Sequence, residues 1–541
     1  MSEQKPHAPG TPVHSGIRST SRRTQAPAGI RSAQRHPAPH HPAQPARTPH
    51  TSERRGPGNE EPPPSGSVPI KPWNLRQTLG LGGIGMFGGV LMFISSLLDG
   101  LWWIQLAAMV PLLWAIFDKR PAWPATVLAG GLFGLFYAIP TCWALPLTTG
   151  MTTAFRGYEI MLWALFFTAA GGFAKVSPFR RIAGVAGAAV LIGALDMTLQ
   201  PFFGSALLPI HLWSSLPAAL QITAWTGDLG LVFVITAINA AIALAIAQPE
   251  FWKQSMAAVV AMLLLWGGSA LPVLAAQPHS SIKVASVSWK VPGRNRDLNT
   301  PASYVFRHLY RPLAEKAINQ GAQLVVSRDM GFFLNRHSGA SLYKKLGHLA
   351  KTHGVHLAVG YFNEERNERS LLLVDPDGYV NDHSRQPPFM FGLKIDVSED
   401  GDLHVTPNPS PLAETVQLPM LHLDDIARDH RRNGTNMLLS ATDAGLGVGF
   451  YHYEDHIFNA VKNRYPVILA ARGGMCGIVD ARGIVQAEKI QLYDGWVHIV
   501  GTLPLYTMAS PYSSSGNWLL HLTILCFLLW GVYSVVQRLR A

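Results

Sequence analysis

Long, almost uncharged apolar runs separated by short polar connections fill the chain from residue 78 to 276, and one more such run closes it at 517–536. A helix rises about 1.5 Å per residue, so about 20 apolar residues cross a hydrocarbon core of about 30 Å. The runs at 78–98, 101–117, 123–146, 159–175, 181–198, 229–248, 255–276 and 517–536 predict about eight spans, the second and fourth being short. Between the seventh and the eighth, from Ser281 to Leu503, the texture changes to short β-branched stretches set among helical periodicities and turns. Strands are predicted at Ile282–Val287, Leu324–Ser327, Leu357–Tyr361, Leu371–Asp375, Val416–Leu421, Met437–Ser440, Val467–Ala471 and Ile478–Val479, with helices near 302–319, 341–353, 424–431 and 451–464. Asp375-Pro376-Asp377-Gly378 and Asp480-Ala481-Arg482-Gly483 each join two apolar strands and read as hairpin turns. Strand, helix, strand, then hairpins is the order of a layered α/β sandwich.

Composition strengthens the membrane assignment. Of 541 residues, 48% are hydrophobic and 14% charged, with a mean hydropathy of +0.15, too apolar for a soluble chain of this size. Basic residues in short loops resist translocation. The connections around Asp118-Lys119-Arg120, Lys175 to Arg181 and Glu250 to Lys253, and the ending Gln537-Arg538-Leu539-Arg540, are basic or mixed, whereas Gln200 to Asp228 contains neither Lys nor Arg. The alternation predicts both termini in the cytoplasm and the 281–503 domain outside, which in a bacterium is the periplasmic face of the inner membrane.

The net charge of +11 invites a nucleic-acid partner, but much of the excess lies in residues 1–75, where arginines such as Arg22, Arg23, Arg54 and Arg55 sit among Pro, Ser, Thr and His. Such a segment buries no core and is expected to be a disordered basic cytoplasmic tail that fixes topology and touches anionic headgroups. No nucleic-acid partner is expected. The tail lacks signal-peptide form, because the first apolar run begins too late. Cys142 and Cys526 fall in predicted spans and Cys476 in the outer domain, so no disulfide forms within that domain and no CxxC spacing exists. His452 and His456 are one helical turn apart, but Tyr453 stands where an HExxH zinc motif needs Glu, so a solvated helix face is expected there. No metal or cofactor is expected. Arg428-Asp429-His430-Arg431-Arg432 reads as the exposed end of a helix, and Phe332-Phe333-Leu334 and Pro387 to Phe391 as apolar loops forming a lid against the bilayer.

Several phrases carry a family resemblance. Leu220-Gln221-Ile222-Thr223-Ala224 followed by Gly227, Gly230-Leu231 and Ile238-Asn239-Ala240 is one; Asn459-Ala460-Val461-Lys462-Asn463-Arg464-Tyr465-Pro466-Val467 with Ala471-Arg472-Gly473-Gly474-Met475-Cys476-Gly477-Ile478-Val479-Asp480 is the other. Together with the order of elements, they resemble the apolipoprotein N-acyltransferase family, in which a nitrilase (carbon–nitrogen hydrolase) domain is carried outside the membrane by apolar helices. The resemblance covers roughly 78–536. It implies a polytopic α-helical membrane protein bearing a four-layer nitrilase-like α/β sandwich, with phospholipid and lipoprotein as partners; it leaves the oligomeric state open.

The resemblance also implies where catalysis would sit. Family enzymes use a Glu to move a proton, a Lys to stabilise the oxyanion and a Cys nucleophile. After Leu324-Val325-Val326-Ser327-Arg328, the Glu position holds Asp329. The phrase Met390-Phe391-Gly392-Leu393 places Arg385 at the Lys position and Leu393 where a supporting Glu is expected, with Lys394 a competing cation. His422-Leu423-Asp424 stands for the Cys-x-Glu phrase, so His422 replaces the nucleophile and Asp424 the Glu after it. Asp retracts the carboxylate by about 1.5 Å, and misplacement near 1 Å costs on the order of a hundredfold. Arg presents its donors differently and resists deprotonation. An acyl-imidazole is also more labile to water than a thioester. Cys476 lies in a Gly-rich segment away from the nucleophile's strand end and reads as a packed small residue. Two functions remain: a catalytically degenerate relative that binds lipid or lipoprotein, and a divergent acyltransferase or amide hydrolase using Asp329, Arg385 and His422.

Overall fold

The computed structural model describes residues 74–540 apart from 98–99, 142–148, 200–207, 209, 291–299, 385–389, 399, 409–422, 443–445, 472–473 and 491–494. The expected tail lies outside them up to residue 73.

The apolar block opens with α1 (Leu75–Leu97), α2 (Val110–Lys119), α3 (Trp123–Thr141), α4 (Thr149–Phe173) and α5 (Pro178–Leu199). Two short turns at Pro217–Leu220 and Thr223–Thr226 lead to α6 (Asp228–Ala247) and α7 (Trp252–Gly268). Among the described residues, five segments are long and apolar enough to cross a membrane: Leu75–Ser96, Pro178–Met197, Asp228–Ala247, Pro249–Ala275 and Trp518–Arg540; Trp123–Ala138 is a shorter apolar helix. The run at 101–117 is not one helix. A 3-10 turn at Trp102–Leu106 precedes the ten residues of α2, which extend about 15 Å, half the core thickness. Asn239 of α6 holds this break: its Oδ1 accepts from the Met109 amide at 3.1 Å and its Nδ2 donates to Gln105 O at 2.8 Å. Gln105 in turn accepts from the Trp213 indole at 2.9 Å. A buried amide thus caps a helix start inside the apolar block, where water is absent to do so.

Small residues set the close helix contacts. A Cβ at Gly134 of α3 would lie 2.9 Å from the Ile160 Cα of α4, so these backbones meet only because glycine is there. α6 is the central helix, with 78% of its apolar window buried, whereas the closing segment Trp518–Arg540 has 6% buried.

The second half is a two-sheet domain. Sheet one runs β13-β1-β2-β4-β5-β6, with β3 beside β4, from β1 (Ser280–Lys290), β2 (Leu324–Ser327), β3 (Phe332–Leu334), β4 (His356–Asn363), β5 (Glu368–Val374), β6 (Val380–Ser384) and β13 (Gly495–Leu505). Sheet two runs β12-β11-β10-β9-β7-β8, from β7 (Met390–Val397), β8 (Leu403–Pro407), β9 (Met437–Thr442), β10 (Val467–Ala471), β11 (Met475–Val479) and β12 (Val485–Ile490). The inner faces meet through Ile282, Val284, Leu324 and Val326 on one side and Leu393, Ile395, Leu439 and Ile468 on the other. Along β1 the even residues face this core and the odd ones, Ala285, Val287 and Trp289, face outward, the period of two that a doubly covered strand requires.

Helices cover both outer faces. Over sheet one lie α8 (302–319) and α9 (Arg336–His353). α8 widens into a π turn at Phe306–Tyr310 just before Arg311-Pro312, because Pro312 has no amide to bond one turn back and its ring crowds that carbonyl. Over sheet two lie α10 (Leu423–Arg432) and α11 (Leu446–Asn463). Here the helical layer does not end in solvent: Ile457, Phe458 and Val461 of α11 belong to one apolar cluster with Leu220, Ile222 and the membrane-type helices. The chain then passes through α12 (Pro511–Ser515) into α13 (Trp518–Arg540). The domain is therefore helix, sheet, sheet, helix, with the last layer seated on the apolar block.

Both expected hairpin turns form, Gly378 donating to Asp375 O at 3.0 Å and Gly483 to Asp480 O at 2.9 Å, each with glycine at φ near +85° (89° and 83°). Three sequence expectations are corrected. Phe332-Phe333-Leu334 is strand β3 with 1, 8 and 3% exposure, not a lid. His456 is 2% exposed and its Nε2 lies 2.7 Å from Ser440 Oγ, so that part of α11 is packed, not solvated. The Arg428–Arg432 run is not a free helix end: Arg431 donates to Met508 O at 2.6 Å and Arg432 to Ser513 O at 2.9 Å. The predicted strand Val416–Leu421 lies outside the described residues, as do Pro387 to Phe389 of the second lid segment; Met390 and Phe391 begin β7.

Candidate functional site

β2 is four buried apolar or small residues lying parallel between β1 and β4. It stops where Ser327 Oγ accepts the Gly360 amide of β4 at 3.1 Å. The chain then turns over β4: Met330 adopts φ +48°, and the Gly331 amide donates to Gly360 O at 3.0 Å. A Cβ at Gly360 would come within 2.5 Å of Arg328 O and 3.0 Å of the Asp329 Cα, so glycine is what lets this turn lie flat on the sheet.

The turn presents Asp329, 6% exposed. Its Oδ1 accepts the Met330 amide at 2.9 Å, and its Oδ2 accepts from Arg369 Nη1 at 3.0 Å. Arg369 lies on β5 on the same face as Leu371 and Leu373, which belong to the core between the sheets. Its side chain is 32% exposed. Arg328, one residue earlier, goes elsewhere: it is 1% exposed with its guanidinium 5.1 Å over the Trp289 ring.

Near the same ends of the strands the core between the sheets becomes polar. Ser286 Oγ donates to Leu469 O at 2.8 Å and Ser288 Oγ to Ala471 O at 2.6 Å, stitching β1 to β10. Cys476 is fully buried beside them, with Sγ 3.6 Å from Ala471 O. Burial pushes its thiol up to about 11, which leaves almost no thiolate at neutral pH and fits a packed cysteine, not a nucleophile.

Of the residues chosen from sequence, the structure places Asp329 at this turn and Leu393 in the apolar core between the sheets, fully buried. Lys394 is on the opposite face of β7, where it pairs with Asp396 at 3.5 Å with both side chains more than half exposed, so it is no alternative site cation. Arg385 and His422 lie outside the described residues; Asp424 is in α10, but its side chain lies outside them too. Sequence reasoning missed Arg369. The signal was the alternation Arg369, Leu371, Leu373, which needs β5 to begin at Glu368 and not at Leu371. No group of three or more potential metal ligands occurs among the described residues. A separate cleft of about 360 Å³ opens between α8, β3 and α9, lined by Ser303, Asn335, Ser338, Lys345 and Glu364 over Phe333; Asp329 does not line it.

Two groups of ties fasten the domain to the apolar block. Lys462 of α11 pairs with Asp228, in the first turn of α6, at 2.8 Å with side-chain exposures of 2% and 8%. Arg464 Nη1 donates to Gln221 Oε1 at 2.6 Å, and Gln221 Nε2 donates to Arg482 O at 2.9 Å. Burial pulls Arg464 down to about 10, with Asp480 opposing the shift. The two family-like phrases of the sequence therefore meet each other at this junction.

Fold and site together define a class: a two-sheet, four-layer α/β domain carried on apolar helices, with a buried carboxylate at the end of β2. No family model matches the chain. It is similar to an apolipoprotein N-acyltransferase of Verminephrobacter eiseniae (strain EF01-2), 29% identical over 131 residues, which cover 22% of this chain and 23% of that one. The chain thus matches about a quarter of that relative's length. Among solved structures, a variant of an amidase of the nitrilase superfamily from Nesterenkonia AN1 is 16% identical, covering 46% of this chain and 98% of that one at a TM-score of 0.34. A carbon–nitrogen hydrolase from Helicobacter pylori G27 is 12% identical, covering 41% and 89% at a TM-score of 0.28. The relative's name agrees with the resemblance to apolipoprotein N-acyltransferase read from the sequence, and the apolar helices fit a membrane protein.

Proposed function

We propose that the chain is a relative of apolipoprotein N-acyltransferase that has lost the family's chemistry and binds phospholipid or lipoprotein at the surface of the bacterial inner membrane. The observation that supports this most is the half-buried pair Asp329–Arg369. A carboxylate that shuttles a nucleophile's proton must exchange it with that nucleophile; Asp329 Oδ2 instead accepts from the Arg369 guanidinium at 3.0 Å. Leu393 adds to it, because apolar packing stands where the family's supporting Glu is expected. With Arg385 for Lys and His422 for Cys, acyl transfer through a thioester has no thiol to form it. The alternation of basic and uncharged loops supports the topology: both termini cytoplasmic, the two-sheet domain periplasmic, residues 1–75 a basic tail.

The full chain in phospholipid nanodiscs, titrated with a diacylated lipoprotein and read by native mass spectrometry, tests this. A complex whose lipoprotein keeps its mass is expected. Absence of any retained lipoprotein or phospholipid would remove the binding role.

A second reading has one observation in its favour. The Asp329 turn keeps a non-glycine residue, Met330, at φ +48° against a glycine-dependent contact, and such backbone cost persists at working sites. In that reading Asp329, Arg385 and His422 serve a divergent acyltransferase or amide hydrolase. Acylation of the lipoprotein that disappears in His422→Ala would establish it.

A further inference from the structure

The segment between β13 and α13 carries no Lys or Arg of its own, yet cations from two other helices gather on it. Tyr512 of α12 is 1% exposed, with the Arg428 guanidinium of α10 5.8 Å and the Lys462 ammonium of α11 5.9 Å from its ring centroid. Gly227, the residue before α6, also lies against the ring: a Cβ there would be 2.6 Å from it. Arg431 and Arg432 of α10 donate to the carbonyls of Met508, Ser513 and Ser514. Ser510 Oγ donates to Lys462 O, while Lys462 Nζ pairs with Asp228 of α6. The Trp518 indole that opens α13 donates to Trp225 O at 2.6 Å. One ring thus touches α10, α11 and the start of α6, and lies six residues before α13.

We propose that Tyr512 and the segment 508–516 are a positioning joint that sets α10 from the membrane helices α6 and α13. α10 begins at Leu423, so the joint fixes where that helix lies over sheet two according to how the membrane helices sit. The charge pattern is what makes this a joint and not general packing. Two cations near one aromatic ring are held by attraction that needs the ring, and neither contact lies within a single helix. Lys462 belongs to both the ring contact and the ion pair with Asp228, so a shift of the α6 start is felt at the ring. Arg428, Arg431 and Arg432 then carry it into α10 through rigid guanidinium forks.

Hydrogen exchange of the full chain in phospholipid nanodiscs, followed by mass spectrometry, tests the joint without using activity or a bound ligand. Tyr512→Leu removes the ring; Tyr512→Phe keeps it. The expected result is exchange in α10 faster on the order of tenfold in Tyr512→Leu, unchanged exchange in α9 on the far layer, and near wild-type behaviour in Tyr512→Phe. Asp228→Asn, at the membrane side of the joint, is expected to quicken α10 as well, and serves if Tyr512→Leu fails to fold. Unchanged α10 exchange in Tyr512→Leu, an equal rise in α9, or a phenylalanine variant no better than leucine would overturn the proposal. Because exchange reads the fold alone, that failure would leave the lipoprotein-binding result standing, and loss of lipoprotein binding would leave the joint standing.

Discussion

Replacing Arg369 by methionine isolates the interaction on which the account of the site depends. The side chain keeps its apolar stem but no longer faces Asp329 Oδ2, now 3.0 Å from Nη1. Breaking a fully buried ion pair by removing one partner costs about 3–5 kcal/mol. Here the Asp329 side chain is 9% exposed but that of Arg369 is 32% exposed, so solvent already screens part of the attraction and about 1–2 kcal/mol is expected. The loss should appear locally, because the Met330 and Gly331 amides are held by Asp329 Oδ1 and Gly360 O. Hydrogen exchange in the 324–334 peptide should quicken on the order of five- to thirtyfold, since about 1.4 kcal/mol is tenfold. Asp329→Asn alone should do less, as it leaves Arg369 where water reaches it. The double variant Arg369→Met with Asp329→Asn should recover most of the loss, a coupling of about 1 kcal/mol. Effects that add within about 0.5 kcal/mol would refute the claim that the carboxylate is committed to Arg369.

Other outcomes follow from the same structure. Lys462→Met should lower the thermal midpoint in detergent strongly, at a cost of about 3–5 kcal/mol, because Asp228 stays buried at 8% exposure; Lys462→Met with Asp228→Leu should restore much of it, and a single variant melting like wild type would contradict this. In a chain with Cys142→Ser and Cys526→Ser, Cys476 should react with a maleimide at pH 8 about a hundredfold more slowly than a free thiol until the protein is denatured, given its raised pKa of about 11; fast native labelling would show an accessible thiolate. His356 donates from Nε2 to Leu403 O at 2.8 Å, tying β4 to β8, and burial lowers its pKa below 6.5. A lowered histidine binds its proton more readily in the unfolded chain, so its contribution is intact above about 6.5 and is lost as pH falls below that value. His356→Gln should flatten the decline in stability between pH 7 and 5, and an unchanged pH profile would remove His356 as its cause.

Periodicity made much of the fold legible. β2 and β10 fall where their apolar runs lie, and the two glycine turns form as their Asp-x-x-Gly sequences require. What failed did so for tertiary reasons. The run at 101–117 is apolar enough to span, but Asn239, more than a hundred residues away, bonds into its middle and ends one helix turn before another begins. Phe332–Leu334 reads as a loop because three residues make no pattern; pairing with Tyr361–Asn363 makes it a strand. The basic run of α10 looks solvated until the carbonyls of 508 and 513–514, some 80 residues later, come to meet it. Asp329 was legible at its place, while its partner Arg369 was not, because the Arg369, Leu371, Leu373 alternation emerges only when β5 is carried back to Glu368. The phrases that bore the family resemblance belong to the junction between domain and helices, through Gln221, Asp228, Lys462 and Arg464. Likeness there speaks to how the domain is seated and leaves chemistry to the site.

The most direct test of the central claim is the mass of a diacylated lipoprotein after incubation with the purified full chain in phospholipid micelles, beside His422→Ala. The account predicts no added acyl chain with either protein, while lipoprotein or phospholipid remains bound to the wild type. An added acyl chain with the wild type that is absent with His422→Ala would contradict it and make the chain an enzyme.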